Sequence, residues 1–217
     1  MHKILIADDH ILVRLGMELV VKEVLGSSVM VDFASDGREL YEKLASKEYD
    51  ILISDLNMPG MEGLGMVANA LKIQDKLRIL LVSVNPETIF AHRYLKAGAF
   101  GYIQKGNSDE ELKRAIYDIS IGRRYVTSGQ AEQFTNAFLN DIPSNPFDTL
   151  SAREFEVALL LLKGNGVLEV STALSINSST ASTYRGRVFE KLAIKNVIEL
   201  SQLARRYRVV GDDTMLR

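Results

Sequence analysis

Five short runs of apolar and β-branched residues mark the first 126 residues of the chain: Lys3–Ala7, Val29–Ala34, Ile51–Ser54, Ile79–Val84 and Phe100–Ile103. Runs this short and continuous predict strands buried on both faces. A stretch with helical spacing follows each. In the first such stretch, Leu12, Leu15, Leu19 and Val20 fall on one helical face. Repeated strand–helix alternation implies a parallel sheet with helices on both sides. After Val126 the strand signal stops. Residues 127–140 have helical spacing, and DIPSNPFDT (141–149), with two prolines and two aspartates, breaks it. From Leu150 onward the spacing is helical: Ala152–Lys163, Leu168–Leu174, Ser178–Leu192 and Val197–Arg208, joined by Gly, Ser and Asn turns. The pattern predicts two domains, 1–126 and 148–217, with a helical linker over 127–147.

Composition narrows the class. At 217 residues, 47% hydrophobic and 25% charged, the chain has the make-up of a soluble globular protein. Its longest apolar run, Val157–Leu162, falls far short of the roughly 18 residues a membrane span needs. The N-terminus MHKILIADD lacks the basic and apolar regions of a signal peptide, so a cytoplasmic protein is expected. With no cysteine, disulfides, thiolate zinc sites and thiol catalysis are excluded. The net charge of −2 is uninformative, but its distribution is not. Up to residue 147 there are 16 basic and 20 acidic residues; beyond it there are 10 and 8. The slightly basic second part suits a polyanionic partner such as DNA.

In parallel α/β sheets, ligands gather at the carboxyl ends of the strands. Here the first strand runs into Asp8 and Asp9, the third into Asp55, the fourth into Ser83 and the fifth into Lys105. Three carboxylates at one edge repel and demand a counter-charge. An all-oxygen donor set favours a hard cation, Mg²⁺ above all. Mg²⁺ and a lysine beside an aspartate stabilise charge on a transferred phosphoryl group, and aspartate itself accepts phosphoryl as an acyl phosphate. An isolated aspartate at a strand end is ordinarily a helix N-cap; the convergence of four strand ends favours chemistry. His10, beside two aspartates, reads as solvent-facing at the start of the first helix.

ILIADDHILVRLGM, DILISDLNMPGMEGL, ILLVSV and KAGAFGYIQKG resemble the receiver domain of two-component response regulators, over about the first 125 residues. The resemblance implies a flavodoxin-like, doubly wound, five-stranded parallel sheet in the order 2-1-3-4-5. It implies Asp55 as phosphoacceptor, Mg²⁺ held by Asp9 directly and Asp8 through water, with Asp55 and the Asn57 carbonyl. Ser83 would hydrogen-bond the phosphoryl group, Lys105 would pair with it, and Tyr102 would swing inward behind Ser83. Met58–Pro59 and Gly63 match the turn after the phosphoacceptor, and Glu62 stands where aspartate is commoner. A phosphoryl group adds roughly −1.5 to −2 charges. That charge would shift the population between two packings of the face formed by Glu87–Ala97 and Asp109–Ile121. Such a receiver is no enzyme beyond its own phosphotransfer and dephosphorylation.

LSAREFEVALLLLKGNGVLEVSTALSINSSTASTYRGRVFEKLAIKNVIEL resembles the four-helix, helix-turn-helix domain of the nitrate and nodulation regulators, shared with quorum-sensing regulators. DDHILVRLGM looks like receivers of the same subfamily. Within Ser178–Leu192, the residues Ala181, Tyr184, Val188 and Leu192 make the expected buried stripe, with Asn177 as N-cap. Ser178, Ser179, Ser182, Thr183, Gly186 and Arg187 occupy the other face, whose early part enters the major groove in a helix-turn-helix. By resemblance, Ser182, Thr183 and Gly186 stand where relatives often place base-contacting lysines. Serine and threonine bond any base edge and discriminate poorly. Arg185 and Arg187 can reach phosphates, Asn177 and Lys191 at the two ends of the helix are counted with the DNA-binding set, and Leu168 replaces a common lysine on the preceding helix.

The expected function is a phosphorylation-activated transcription regulator. Its partners would be a sensor histidine kinase, double-stranded DNA and a second copy of itself, paired through the receiver faces and through Val197–Tyr207. The alternative is a signalling adaptor whose lysine-poor helix-turn-helix binds a protein. An aspartate-nucleophile hydrolase fails, because Asn57 stands where its partner acid belongs.

Overall fold

A computed structural model of the chain describes residues 2–61, 63–140 and 145–209. Glu62, residues 141–144 of the expected break and residues 210–217 lie outside the described residues. The chain divides into two compact units, Met1–Phe134 and Thr135–Arg217.

The first unit alternates β1 (Lys3–Ala7), α1 (Ile11–Leu25), β2 (Met30–Ala34), α2 (Gly37–Ser46), β3 (Ile51–Ser54), α3 (Gly65–Ile73), β4 (Arg78–Ser83), α4 (Glu87–Lys96), β5 (Gly101–Gln104) and α5 (Asp109–Ser120). The five strands form one sheet, ordered β2-β1-β3-β4-β5, and every neighbouring pair is parallel. Alternation along the strands sends Ile4, Ile6, Ile51, Ile53, Leu80, Val82 and Ile103 into one core with Met17 and Val21 of α1 and Ile116 and Ile119 of α5. Leu5, Leu52, Ile79, Leu81 and Tyr102 alternate with these and are equally buried. That double burial is why the strands read as unbroken apolar runs.

The face of α1 marked by spacing is not the one that packs. Leu12 and Leu19 are 79% and 71% exposed, and Leu15 is also open; Met17 and Val21 are buried, with Val20 at the edge of the core. A mean helical period cannot choose between two apolar faces when both exist. Here the sheet takes the one holding Met17 and Val21.

A further helix, α6 (Ser128–Asn140), begins inside the first unit, so that unit reaches beyond the expected boundary at 126. Thr127 and Gln130 explain the anchoring. The Gln130 N–H donates to Thr127 Oγ1 and the Thr127 N–H to Gln130 Oε1, both at 3.2 Å. This reciprocal pair is a capping box at a T-x-x-Q sequence.

The second unit contains a 3-10 turn (Pro146–Thr149) and helices α7 (Ala152–Leu162), α8 (Val167–Ala173), α9 (Ser178–Lys191) and α10 (Val197–Arg206). Ser151 and Glu154 form a capping box at the start of α7. Phe147 and Phe155 meet edge to face at 6.4 Å, and Val157, Ala158, Leu161, Val170, Ala181, Val188, Leu200 and Ala204 complete a small core. Ser175, in the turn between α8 and α9, takes a left-handed conformation with φ 51°. A non-glycine residue tolerates it only when flanking helices hold it there.

Candidate functional site

Sheet register builds the first site. Ala7 pairs with Ala34 and Ser54, Ser54 with Leu81, and Ser83 with Gln104. The residues just past these positions therefore emerge at one edge. The Asp55 N–H donates to the Ala7 carbonyl at 2.8 Å, and the Lys105 N–H donates to the Ser83 carbonyl at 2.6 Å. Asp8, Asp55 and Ser83 are buried, and Asp9 is exposed.

Lys105 is the counter-charge that the carboxylates demand. Its Nζ lies 2.8 Å from Asp8 Oδ2 and 2.8 Å from Asp55 Oδ2. Burial works against the ammonium, but the two carboxylates outweigh it and hold Lys105 above the ordinary lysine range. The other oxygen of Asp55, Oδ1, accepts from the N–H groups of Leu56 and Asn57 at 2.6 and 3.2 Å. One carboxylate oxygen is thus held by backbone and the other by a side-chain cation.

The remaining predicted residues surround this pair. Ser83 Oγ accepts from Asn57 Nδ2 and from the Asn85 N–H, each at 3.2 Å. Asn57 is tied to Ser83 through its side chain, an interaction the expectation of a metal-binding backbone carbonyl did not include. Tyr102 is fully buried, stacks at 5.9 Å on Tyr94, and donates its hydroxyl to the Asn85 carbonyl at 2.8 Å. Burial pushes its phenol well above the usual range. The ring lies inward in this structure. His10 exposes 71% of its side chain, as expected, yet its Nδ1 lies 2.7 Å from Asp9 and 3.3 Å from Asp8.

Ligand atoms of Asp8, Asp9 and His10 lie within 4.8 Å of one another. Asp8, Asp9 and Asp55 supply an oxygen donor set whose excess negative charge needs compensation, which fits a Mg²⁺ ion.

The second candidate surface is α9. Ala181, Val188 and Leu192 are buried and Tyr184 is half-buried, as the stripe predicted. Ser178, Ser179, Ser182, Thr183, Arg185, Gly186 and Arg187 are all exposed. Asn177 sits at the N-cap with extended backbone, but its side chain makes no capping hydrogen bond; the position was read correctly and its chemistry was not. Thr183 Oγ1 donates back to the Ser179 carbonyl at 2.9 Å, which removes its proton from the outward-facing set. Lys191 does not join that face. Its Nζ contacts Glu154 Oε2 at 2.6 Å and the Thr149 carbonyl at 3.3 Å, clamping the end of α9 to the start of α7. Nothing in the spacing of Glu154 and Lys191 announced this pair. By contrast, the capping box at Thr127 and Gln130 has a local signature, T-x-x-Q, in the sequence.

The model for the response regulator receiver domain matches residues 4–117. That for bacterial regulatory proteins of the luxR family matches residues 148–204. The chain is 35% identical to the response regulator GacA of Pseudomonas aeruginosa over 211 residues, covering 97% of this chain and 98% of the relative. It is 31% identical to the response regulator UvrY of Escherichia coli, covering 99% of each. Among solved structures, RcsB from Salmonella enterica serovar Typhimurium, bound to promoter rprA with the phosphomimetic BeF3⁻, superposes with a TM-score of 0.75 at 23% identity. The match covers 93% of this chain and 97% of RcsB, a likeness of fold.

Proposed function

Because the chain belongs to the response regulators, with a receiver domain ahead of a luxR-family regulatory domain, we propose that it is a phosphorylation-activated transcription regulator of the nitrate and nodulation regulator branch. It works in the cytoplasm, takes its phosphoryl group from a sensor histidine kinase and binds double-stranded DNA as a dimer. The observation that carries this reading is the Lys105 ammonium bridging two buried carboxylates, Asp8 and Asp55.

Asp55 is the phosphoacceptor. A carboxylate oxygen attacks phosphorus, the bond from phosphorus to the donor's histidine nitrogen breaks, and the nitrogen keeps the electron pair. Oδ1 is held by two backbone N–H groups, which leaves Oδ2, paired among the described residues with the Lys105 ammonium, as the nucleophile. Lys105 then pairs with the new phosphoryl oxygens, and Ser83 Oγ turns its proton toward them. A Mg²⁺ ion held by Asp8, Asp9, Asp55 and the Asn57 carbonyl would neutralise charge on the phosphoryl group. Tyr102, buried against the Asn85 carbonyl, holds the β4–α4 loop in the conformation that Ser83 favours once it faces the phosphoryl group.

On DNA, the exposed face of α9 enters the major groove. Ser178, Ser179, Ser182 and Gly186 supply close approach with little base discrimination, and Arg185 and Arg187 supply phosphate contacts. Binding to random-sequence duplex, at low and moderate salt and with beryllium fluoride and Mg²⁺ present, tests this. Retention at low salt that weakens steeply with salt supports the reading; no binding above background at low salt overturns it.

A further inference from the structure

The capping box that opens α6 does more than start a helix. Thr127 Oγ1 donates to Glu87 Oε1 at 3.1 Å. Gln130 Nε2 donates to Glu87 Oε2 at 3.1 Å and to the Tyr102 carbonyl at 2.9 Å. Gln130 is 1% exposed and Thr127 4% exposed. The Gln130 amide is therefore buried with both its donor group and its oxygen engaged, a fully satisfied buried network of the kind that fixes one arrangement.

Both receiving groups belong to the switch region. Glu87 opens α4, two residues beyond Asn85, whose N–H bonds Ser83 Oγ and whose carbonyl accepts the Tyr102 hydroxyl. The Tyr102 carbonyl, on β5, is two strand positions after Phe100 and three before Lys105. Ser83 and Tyr102 thus both bond the β4–α4 loop at Asn85, and that loop leads into the Glu87 carboxylate to which α6 is tied.

We propose that Thr127 and Gln130 form a latch through which the phosphorylation state of Asp55 is transmitted to α6, the helix that crosses from the first unit into the second. The latch closes when Tyr102 is buried and Asn85 holds its hydroxyl. It opens when the β4–α4 loop withdraws Glu87, leaving the first turn of α6 without its anchor. Gln130 is a positioning residue: it touches neither phosphoryl group nor DNA. The inference rests on the reading of Asp55 as phosphoacceptor and of the second domain as a DNA binder.

The pairing chemistry supplies the test. Gln130→Glu sets a carboxylate against Glu87 and removes the donor to the Tyr102 carbonyl, yet keeps an acceptor for the Thr127 N–H. Glu87→Gln combined with Gln130→Glu restores an amide–carboxylate pair with the roles exchanged. For the wild type and both variants, three quantities are read: labelling of Asp55 by acetyl phosphate with Mg²⁺, hydrogen exchange of the first-turn amides of α6, and retention of random-sequence duplex DNA. The last two are read with and without beryllium fluoride. Labelling requires a folded receiver and reports folding for each variant.

In the wild type, beryllium fluoride slows exchange at Ala131 and Glu132 and strengthens DNA retention. In Gln130→Glu, labelling persists, α6 protection no longer responds, and the DNA response shrinks by about tenfold; the exchanged pair recovers both responses in part. Unchanged responses in a Gln130→Glu protein that still labels would overturn the latch and leave the functional reading standing. A wild type that labels but shows no DNA response would overturn the reading and the latch with it. Loss of labelling in Gln130→Glu, with hydrogen-exchange protection of the β1 and β3 amides intact, would also count against the latch, by placing Gln130 in the phosphotransfer machinery.

Discussion

At the sheet edge, Asp8 and Asp55 share one ammonium, and Ser83 accepts from Asn57 and from the backbone of Asn85. On α9, Ser178, Ser179, Ser182 and Arg187 face solvent. Both surfaces are parts of one signalling chain, but they are specified differently. The first is over-determined: strand register brings its residues together, and each constrains the next. The second is a face whose partner lies outside the chain, so its own structure says where it is but not what it prefers. A site that does chemistry within the chain can be read from its internal contacts, and one that reads another molecule cannot. For the first surface the convergence of strand ends marked the carboxylates and the lysine, and the family resemblance supplied their roles; for the second it supplied the docking mode of α9 and no base preference.

Breaking the first surface should cost the most. Lys105→Met leaves Asp8 and Asp55 facing each other without a cation, and removing one partner of such a buried pair destabilises by about 3 kcal/mol. The receiver should melt earlier by the corresponding margin in thermal unfolding, with part of the loss recovered on adding Mg²⁺. An unchanged melting temperature would mean that the carboxylates had found another neutraliser.

The second unit has a comparably fixed element in the Glu154–Lys191 clamp, and a variant there sharpens the contrast between the end of α9 and its open face. Burial works to raise the Glu154 carboxyl, but the Lys191 ammonium and the Ser151 donors outweigh it, and the group sits below the ordinary value of 4.5. Because its folded value is depressed, the clamp contributes stability above that ordinary value. The contribution is lost as pH falls from 4.5 through the lowered value. Glu154→Gln should therefore reduce stability by about 1–2 kcal/mol at neutral pH and flatten the acid limb of the unfolding profile. A wild-type and variant difference that does not narrow on acidification contradicts the assignment.

On the open face the effects are smaller and of another kind. Arg187→Ala should weaken binding to all duplex sequences alike and lower the salt slope by about 1. A loss confined to particular sequences would reassign Arg187 from phosphate to base contact. Gly186 should behave as a stability site on the bare helix. Among the described residues, and apart from its chain neighbours and the backbone of its own helix, no atom lies within 4 Å of the position its Cβ would take. Gly186→Ala should stabilise the free protein by about 1 kcal/mol in thermal unfolding, and any accompanying loss of DNA binding measures how closely the backbone approaches a groove.

The strands were legible because burial on both faces leaves unbroken apolar runs: β1 and β3 lie where spacing puts them, β2 starts one residue later, and β4 and β5 are each displaced by one residue. Side-chain partners were less legible. Spacing puts the apolar face of α1 at Leu12, Leu15, Leu19 and Val20; the fold leaves the three leucines exposed and packs only the edge at Val20, because two apolar faces compete on that helix and only the sheet chooses. Lys191 was read with the DNA-facing residues; its ion pair with Glu154 spans α7 and α9 and has no local signature. The domain boundary was set at 126 because strand periodicity ends there, whereas the chain remains anchored through the Thr127–Gln130 capping box. Periodicity reports which residues are buried. It does not report which polar groups have found one another.

The most direct test of the account measures DNA retention by the wild type and by Asp55→Asn, each with and without beryllium fluoride and Mg²⁺. Wild-type binding should strengthen on addition of the phosphoryl mimic, and Asp55→Asn should stay at the wild-type's unstimulated level under both conditions. Equal responses in the two proteins, or no response in the wild type, would contradict the claim that a phosphoryl group on Asp55 controls the recognition helix.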